Sequence, residues 1–367
     1  MKGELLTRTE CSAMRGIAII GIMLHNYCHW LKDIVRENEY TWTASKVDHL
    51  WVLLQHPDEL LPIHLFSFFG HYGVPVFLFL SGFGLVMKYE TIQEDKLPAF
   101  RFLRYNYLKL LRILIVGFVA FTMIDVMTYN PHRYHWDEVV GILGMFANFY
   151  EHPSQVIWPG PYWYFGLTLQ VYFLYRVLFY RWRHWGVVIA AIVLCWLLQE
   201  ICLNDSETLE RLRYNCIGGM LPFGMGLLVA RVCSEQTGSF LGAKSEFPPS
   251  KLPVFPKPVW ILLVVVLCCL IVAMGFNSQF WLWIPLFIVV GTVALVKVLP
   301  PMLLRAMVWV GGISAAIFVA HPIVRKLFVR PYIHDDLYAG LILYTVATIA
   351  LSWLFMLIIN RIPKPKL

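Results

Sequence analysis

Residues 15–31 read RGIAIIGIMLHNYCHWL, an apolar run with a guanidinium at its start and an imidazole ten residues later. Wound as an α-helix, this stretch sets Arg15 and His25 about 15 Å apart along one axis. The charge then sits near a membrane surface and the imidazole near mid-depth. An ionisable side chain at that depth is costly unless it faces a polar cavity, so His25 is the first candidate functional residue.

The remainder of the chain agrees with a membrane setting. Of 367 residues, 59% are hydrophobic and only 14% charged, with a mean hydropathy of +0.63, unlike ordinary soluble domains. Apolar runs recur at 13–31, 63–87, 107–127, 161–180, 185–202, 215–233, 259–276, 280–299, 306–324 and 339–360. Each is long enough to cross about 30 Å of hydrocarbon as a helix. The expected fold is therefore all-α: a polytopic bundle of about ten transmembrane helices, built as one domain over 1–367. Residues 136–150 read as an interfacial helix, and 234–258, rich in Ser, Gly, Pro and Lys, as a linker-like loop joining two halves.

Charge distribution orients this bundle. Numbering the spans alternately inward and outward puts 21 of the 30 basic residues on the side of the N-terminus, which predicts cytoplasmic termini in a cell (inner) membrane. The +7 net charge then anchors spans rather than forming a nucleic-acid surface, so membrane lipid is the expected surrounding and nucleic acid is not a partner. The first apolar run follows the acidic TRTE with no small-residue cleavage site, so it is expected to remain in the protein. Eight cysteines lie mostly inside apolar runs without metal-site spacing and read as small hydrophobes.

Polar residues near spans concentrate in the first half. His29 follows His25 by one turn, and two histidines at that spacing can share a metal. No acidic residue accompanies them on that helix, so no metal is expected. His71 and Tyr72 sit at the outer end of the second span, and His321 precedes Pro322 near the outer end of the ninth, where proline lets backbone carbonyls open toward polar groups. Ser81, followed by glycine, reads as a close-packing position. The outward stretch 129–160 carries Tyr129, His132, Trp136 and Trp158, which fit an interfacial aromatic belt or a surface that stacks on sugar rings.

Five segments, in order, resemble the acyltransferase-3 family of integral-membrane enzymes. RGIAIIGIMLH (15–25) resembles its first-span signature, a basic residue followed by a histidine. The commoner form has one more intervening residue, a position held here by Asn26, and the difference turns the imidazole by about 100°. GVPVFLFLSGFGL (73–85) resembles the second-span segment, FLRYNYLKLLR (102–112) the basic entry to the third, PYWYFGLTLQVYFLY (161–175) a later aromatic segment, and GGISAAIFVAHP (311–322) the final Gly, Ile-Ser and His-Pro pattern.

The resemblance implies transfer of an acyl group, most simply acetyl, from cytoplasmic acyl-CoA to a hydroxyl of a surface glycan or lipid-linked saccharide. Acyl-CoA is then a co-substrate, and no tightly bound cofactor is implied. Such transfer needs a base that titrates near working pH, a role that fits His25. Arg15, Arg101, Arg104 and Arg112, with Lys109, are candidates for the CoA phosphates, since guanidinium groups grip phosphate bidentately. Asn26, His29, His71, Tyr72, Trp163, Gln170 and His321 are candidates for the cavity or acceptor side. A transporter or flippase, whose substrate path would use the same intramembrane polar residues, is the rival reading, and no inverted repeat supports it.

Overall fold

The computed structural model describes residues 5–90, 98–236, 255–328 and 336–366, and every regular element among them is helical. In chain order these are α1 (Arg8–Cys28), α2 (Ala44–Gln55), α3 (Leu61–Phe69), α4 (Gly73–Tyr89), α5 (Ala99–Met127) and α6 (Trp136–Leu143). Next come α7 (Pro153–Val156), α8 (Trp163–Leu174), α9 (Trp185–Ile201), α10 (Ser206–Tyr214) and α11 (Cys216–Gln236). The last group is α12 (Lys257–Gly275), α13 (Ser278–Trp281), α14 (Ile284–Val298), α15 (Pro301–Gly312), α16 (Ser314–Phe328) and α17 (Leu337–Arg361).

The first helix begins where its chemistry says it should. Thr7 accepts from the Glu10 amide while the Glu10 carboxylate accepts from the Thr7 amide at 2.8 Å, a reciprocal cap. Lys297 reaches the same carboxylate at 2.7 Å, tying the start of α1 to the end of α14. From there α1 runs through the middle of the protein, against α3, α4 and α14–α17. Small residues let it do so: a Cβ at Gly16 would strike the Met307 carbonyl of α15, and one at Gly311 would strike the Ser12 carbonyl of α1. Gly21 and Gly70 meet in the same way, bringing the α3–α4 elbow onto the far end of α1.

Among the described residues, α5, α11, α12, α17 and the stretch Leu61–Tyr89 that joins α3 to α4 are long and apolar enough to cross a membrane, five in all, or six if α15 and α16 count as one bent span. The expected ten crossings are thus not all present as single apolar helices. The run 306–324 is broken at Ile313, where α15 and α16 meet at 75°. The run 280–299 is split between α13 and α14, and α14 at 15 residues is short. Helix α1 has 21 residues, but Arg15, His25 and Asn26 dilute its apolarity. Most of the linker-like 234–258 lies outside the described residues, bracketed by α11 and α12. Residues 136–150 form α6 and a short 3-10 turn. They reach into the bundle, where the Tyr107 hydroxyl donates to the Leu143 carbonyl and the buried Asn148 amide donates to the Trp163 and Tyr214 carbonyls.

Beyond the glycine contacts, one buried ion pair fixes the end of α4. Glu90 receives both Nε and Nη2 of Arg231 at 3.0 and 3.1 Å, while Nη2 also donates to the Phe179 carbonyl. Gly82 of α4 and Gly226 of α11 interlock above it. The α1–α15 crossing admits no Cβ, so Gly16→Val is expected to cost at least about 1–3 kcal/mol through overpacking. A thermal melt in detergent equal to that of the native protein would show that the two helices separate without penalty.

Candidate active site

His25 lies in the last turn of α1 rather than at mid-depth, because α1 begins at Arg8 and ends at Cys28. The residue is 2% exposed. Ser67, in the last turn of α3 where helix carbonyls lose their intrahelical partners, offers its carbonyl to His25 Nδ1 at 2.8 Å. A carbonyl oxygen can only accept, so Nδ1 carries a proton and, in the neutral ring, Nε2 keeps the lone pair. That lone pair faces two carboxylates, Glu37 Oε1 and Glu39 Oε2, each at 3.9 Å.

Neither acid is on a helix. They stand two residues apart on the strap that joins α1 to α2, and alternate residues of an extended chain share a face. The strap is sewn down along its length. Ser67 Oγ donates to the Val35 carbonyl at 2.5 Å, the Val35 amide donates to His64 Nδ1, and Lys46 Nζ reaches the Glu37 carbonyl at 2.7 Å. Trp281 Nε1 donates to the Asn38 carbonyl at 2.9 Å, and Arg213 Nε donates to the Glu39 carbonyl at 3.0 Å. Burial and the neighbouring Glu37 carboxylate push the Glu39 carboxyl from 4.5 up to about 8.

Other imidazoles crowd the same spot. The His29 ring is 4.6 Å from that of His25, and the His71 ring is 5.4 Å away. Both ring nitrogens of His71 and Nδ1 of His29 are buried without hydrogen-bond partners. Tyr72 packs on His71, with ring centroids 3.9 Å apart. Asn26 is held by Arg325, whose Nη1 donates to Asn26 Oδ1 at 3.2 Å while the guanidinium covers the Trp30 ring at 5.1 Å. His321, wholly buried, donates Nδ1–H to the Ile317 carbonyl and leaves Nε2 unpartnered.

At the other end of α1, Arg15 lines a cavity of about 480 Å³ between α1, α4, α5, α8 and α16. Lys88 and Lys109 line it too, with Ser81, Tyr105 and Asn106 as its polar neighbours. Gly82 makes the close packing expected of the Ser-Gly pair, while Ser81 faces the cavity. Arg112 lines an adjoining cavity that shares Tyr105 and Lys109. Arg101 and Arg104 are exposed and do not join them, and Arg104 borders an apolar groove beside Phe146 and Phe173. Helical phase parts Arg104 from Lys109, five residues and about 140° apart around α5, whereas Arg101 is set apart by about 12 Å along the helix axis from Lys109.

Trp163 packs against Tyr40 and Tyr214 beside a small pocket that Glu39 and His71 also line. Gln170 borders the apolar groove with Arg104, its amide bonded to Asn215 Oδ1 and its carbonyl to the Cys216 amide. The structure therefore gathers His25, Asn26, His29, His71 and Tyr72 at one end and Arg15, Lys109 and Arg112 at the other. Sequence reading missed Glu37, Glu39, Lys88 and Arg325. The alternating acids of RENEY (36–40) were the only signal for the first two.

The architecture is that of a multi-pass helical membrane protein with a buried imidazole near one end of its first helix. A family model for an acyltransferase domain, that of the acyltransferase-3 family, matches residues 10–357, so the chain belongs to that family and is a membrane acyltransferase. No individual curated protein and no solved structure gives a significant match.

The raised carboxyl gives a prediction with a definite sign. A folded-state value above the ordinary one means that the fold favours the protonated acid, so this stabilisation is complete below about 4.5 and is lost as pH rises through about 8. Glu39→Gln, which cannot ionise, should gain thermal stability relative to the native protein as pH is raised across that window. A difference in melting temperature that stays constant with pH would show that Glu39 titrates as an ordinary surface acid.

Proposed function

We propose that this acyltransferase moves an acyl group, most simply acetyl, from acyl-CoA on the basic side of the membrane to a hydroxyl of a glycan or lipid-linked saccharide on the other. The observation that carries the reading is the locked tautomer of His25. In the neutral ring its lone pair faces the polar strap. The acceptor O–H gives its proton to Nε2 as the oxygen attacks the thioester carbonyl. The tetrahedral adduct collapses with cleavage of the C–S bond, and the imidazolium returns the proton to the departing thiolate. The products are an ester and a free thiol. While the imidazolium exists, the acidic side chains that face Nε2, Glu37 and Glu39 at 3.9 Å, stabilise it.

Donor binding falls to the other end of α1. Arg15, Lys88 and Lys109 offer three cations to phosphate groups, with Arg112 in the adjoining cavity. About 15 Å of helix separates Arg15 from His25, a distance that suits a donor whose phosphates and thioester are joined by a long flexible arm. The excess of basic residues around this end supports placing both termini in the cytoplasm. A flippase would share the polar path but would not cleave a thioester.

Purified protein tested for thiol release from acetyl-CoA in the presence of a saccharide acceptor should show turnover, which His25→Ala lowers by about 10²–10⁴-fold. Wild-type turnover in that variant would remove His25 from the mechanism, and no thiol release from the native protein would favour transport. Arg15→Ala and Lys109→Ala should each raise the acyl-CoA KM about tenfold, the worth of one charge-assisted contact, with Arg104→Ala shifting it least. A larger shift for Arg104→Ala would move the donor to the groove beside Phe146.

A further inference from the structure

The histidine cluster contains more unsatisfied chemistry than proton transfer uses. One ligand atom each from His25, His29 and Glu37 lies within 4.8 Å of the other two. Around them Nδ1 of His29, both nitrogens of His71 and Oε2 of Glu37 are buried without hydrogen-bond partners. His71 itself is 5% exposed. A buried donor or acceptor left unpaired is costly, and two of these atoms, Nδ1 of His29 and Oε2 of Glu37, belong to the converging residues themselves.

We propose that His25, His29 and Glu37 bind a divalent transition metal, Zn²⁺ by the nature of the ligands, and that the ion competes with the acceptor hydroxyl for the His25 lone pair. Two imidazole nitrogens and one carboxylate form a three-residue zinc set with one position open. Bonds of about 2.0–2.2 Å to the metal require the ligand atoms to close to about 3.4 Å. Rotation of the Glu37 and His29 side chains can supply this, because both are only partly buried and Glu37 is held through its backbone. His25 already has the outer arrangement of a metal-bound histidine, its second N–H given to a backbone carbonyl. The expectation of no metal rested on the absence of an acid in the helix, and the acid comes instead from the strap. Glu39, with Oε2 at 3.9 Å from Nε2, stands close enough to orient water at the open position.

This inference rests on His25 acting as the base, because only then does a bound ion block transfer. The test uses full-length protein in detergent, freed of metal by chelation, with Co²⁺ as a spectroscopic substitute for Zn²⁺. One equivalent of Co²⁺ should give visible bands of a four- or five-coordinate N/O site, and one equivalent of Zn²⁺ should erase them. His29→Gln and Glu37→Gln should each weaken binding at least tenfold, with melts in metal-free buffer confirming that both variants fold. Metal-free native enzyme should release thiol, and saturating Zn²⁺ should lower that rate at least tenfold. Absence of the bands, or bands that persist unchanged in both variants, overturns the site. Bound Zn²⁺ that leaves turnover unchanged overturns the competition. Metal-free enzyme that is inactive until Zn²⁺ is added overturns both the competition and the role of His25 as base, while leaving the metal site standing.

Discussion

Ser67 holds the two halves of the site together, and the rest of the arrangement depends on it. Its carbonyl receives His25 Nδ1–H and thereby fixes the tautomer, while its hydroxyl donates to the Val35 carbonyl and pins the strap that carries Glu37 and Glu39. One residue thus sets both the free lone pair and the acids that face it. Ser67 can do this because α3 lies against the last turns of α1, which in turn requires Gly21 and Gly70. A Cβ added at Gly70 would stand 2.7 Å from Cβ of His25. The packing of small residues and the chemistry of the imidazole are parts of one constraint.

The same helix organises the opposite end. Arg15 is on the axis that carries His25, and the cavity it lines is closed by α4, α5, α8 and α16. Cations concentrate there without carboxylates among the lining residues, whereas the His25 end brings imidazoles and acids together. Between them Phe318 lines the cavity and packs on His321, with ring centroids 5.9 Å apart. This separation of charge along α1 gives the protein a distinct site at each end of one helix.

Much of this was legible in the sequence, and what was not has identifiable physical causes. The all-helical fold follows from apolar periodicity, and the acyltransferase-3 family from five short motifs. The number of crossings did not follow, because hydropathy cannot show that Gly312 and Ile313 end one helix and start another at 75°. Arg101 and Arg104 were grouped with Lys109 by proximity in sequence, but helical phase parts Arg104 from it and distance along the axis parts Arg101. Glu37 and Glu39 were hidden because loop residues acquire a partner only through tertiary contacts, here with Lys46, Arg213 and Trp281. The Ser67 carbonyl has no side-chain signature at all. Gln170 enters through the resemblance of 161–175, and its hydrogen bonds to Asn215 and Cys216 follow only from the tertiary structure.

The central claim is the protonation pattern of one ring, and ¹⁵N NMR of histidine-labelled, metal-free protein reads it directly. The resonances lost in His25→Gln identify the residue. At neutral pH they should show a protonated, pyrrole-type Nδ1 and an unprotonated, pyridine-type Nε2. The reverse pattern, with the proton on Nε2, would contradict the account, because the lone pair would then face the Ser67 carbonyl and no base would face the acceptor.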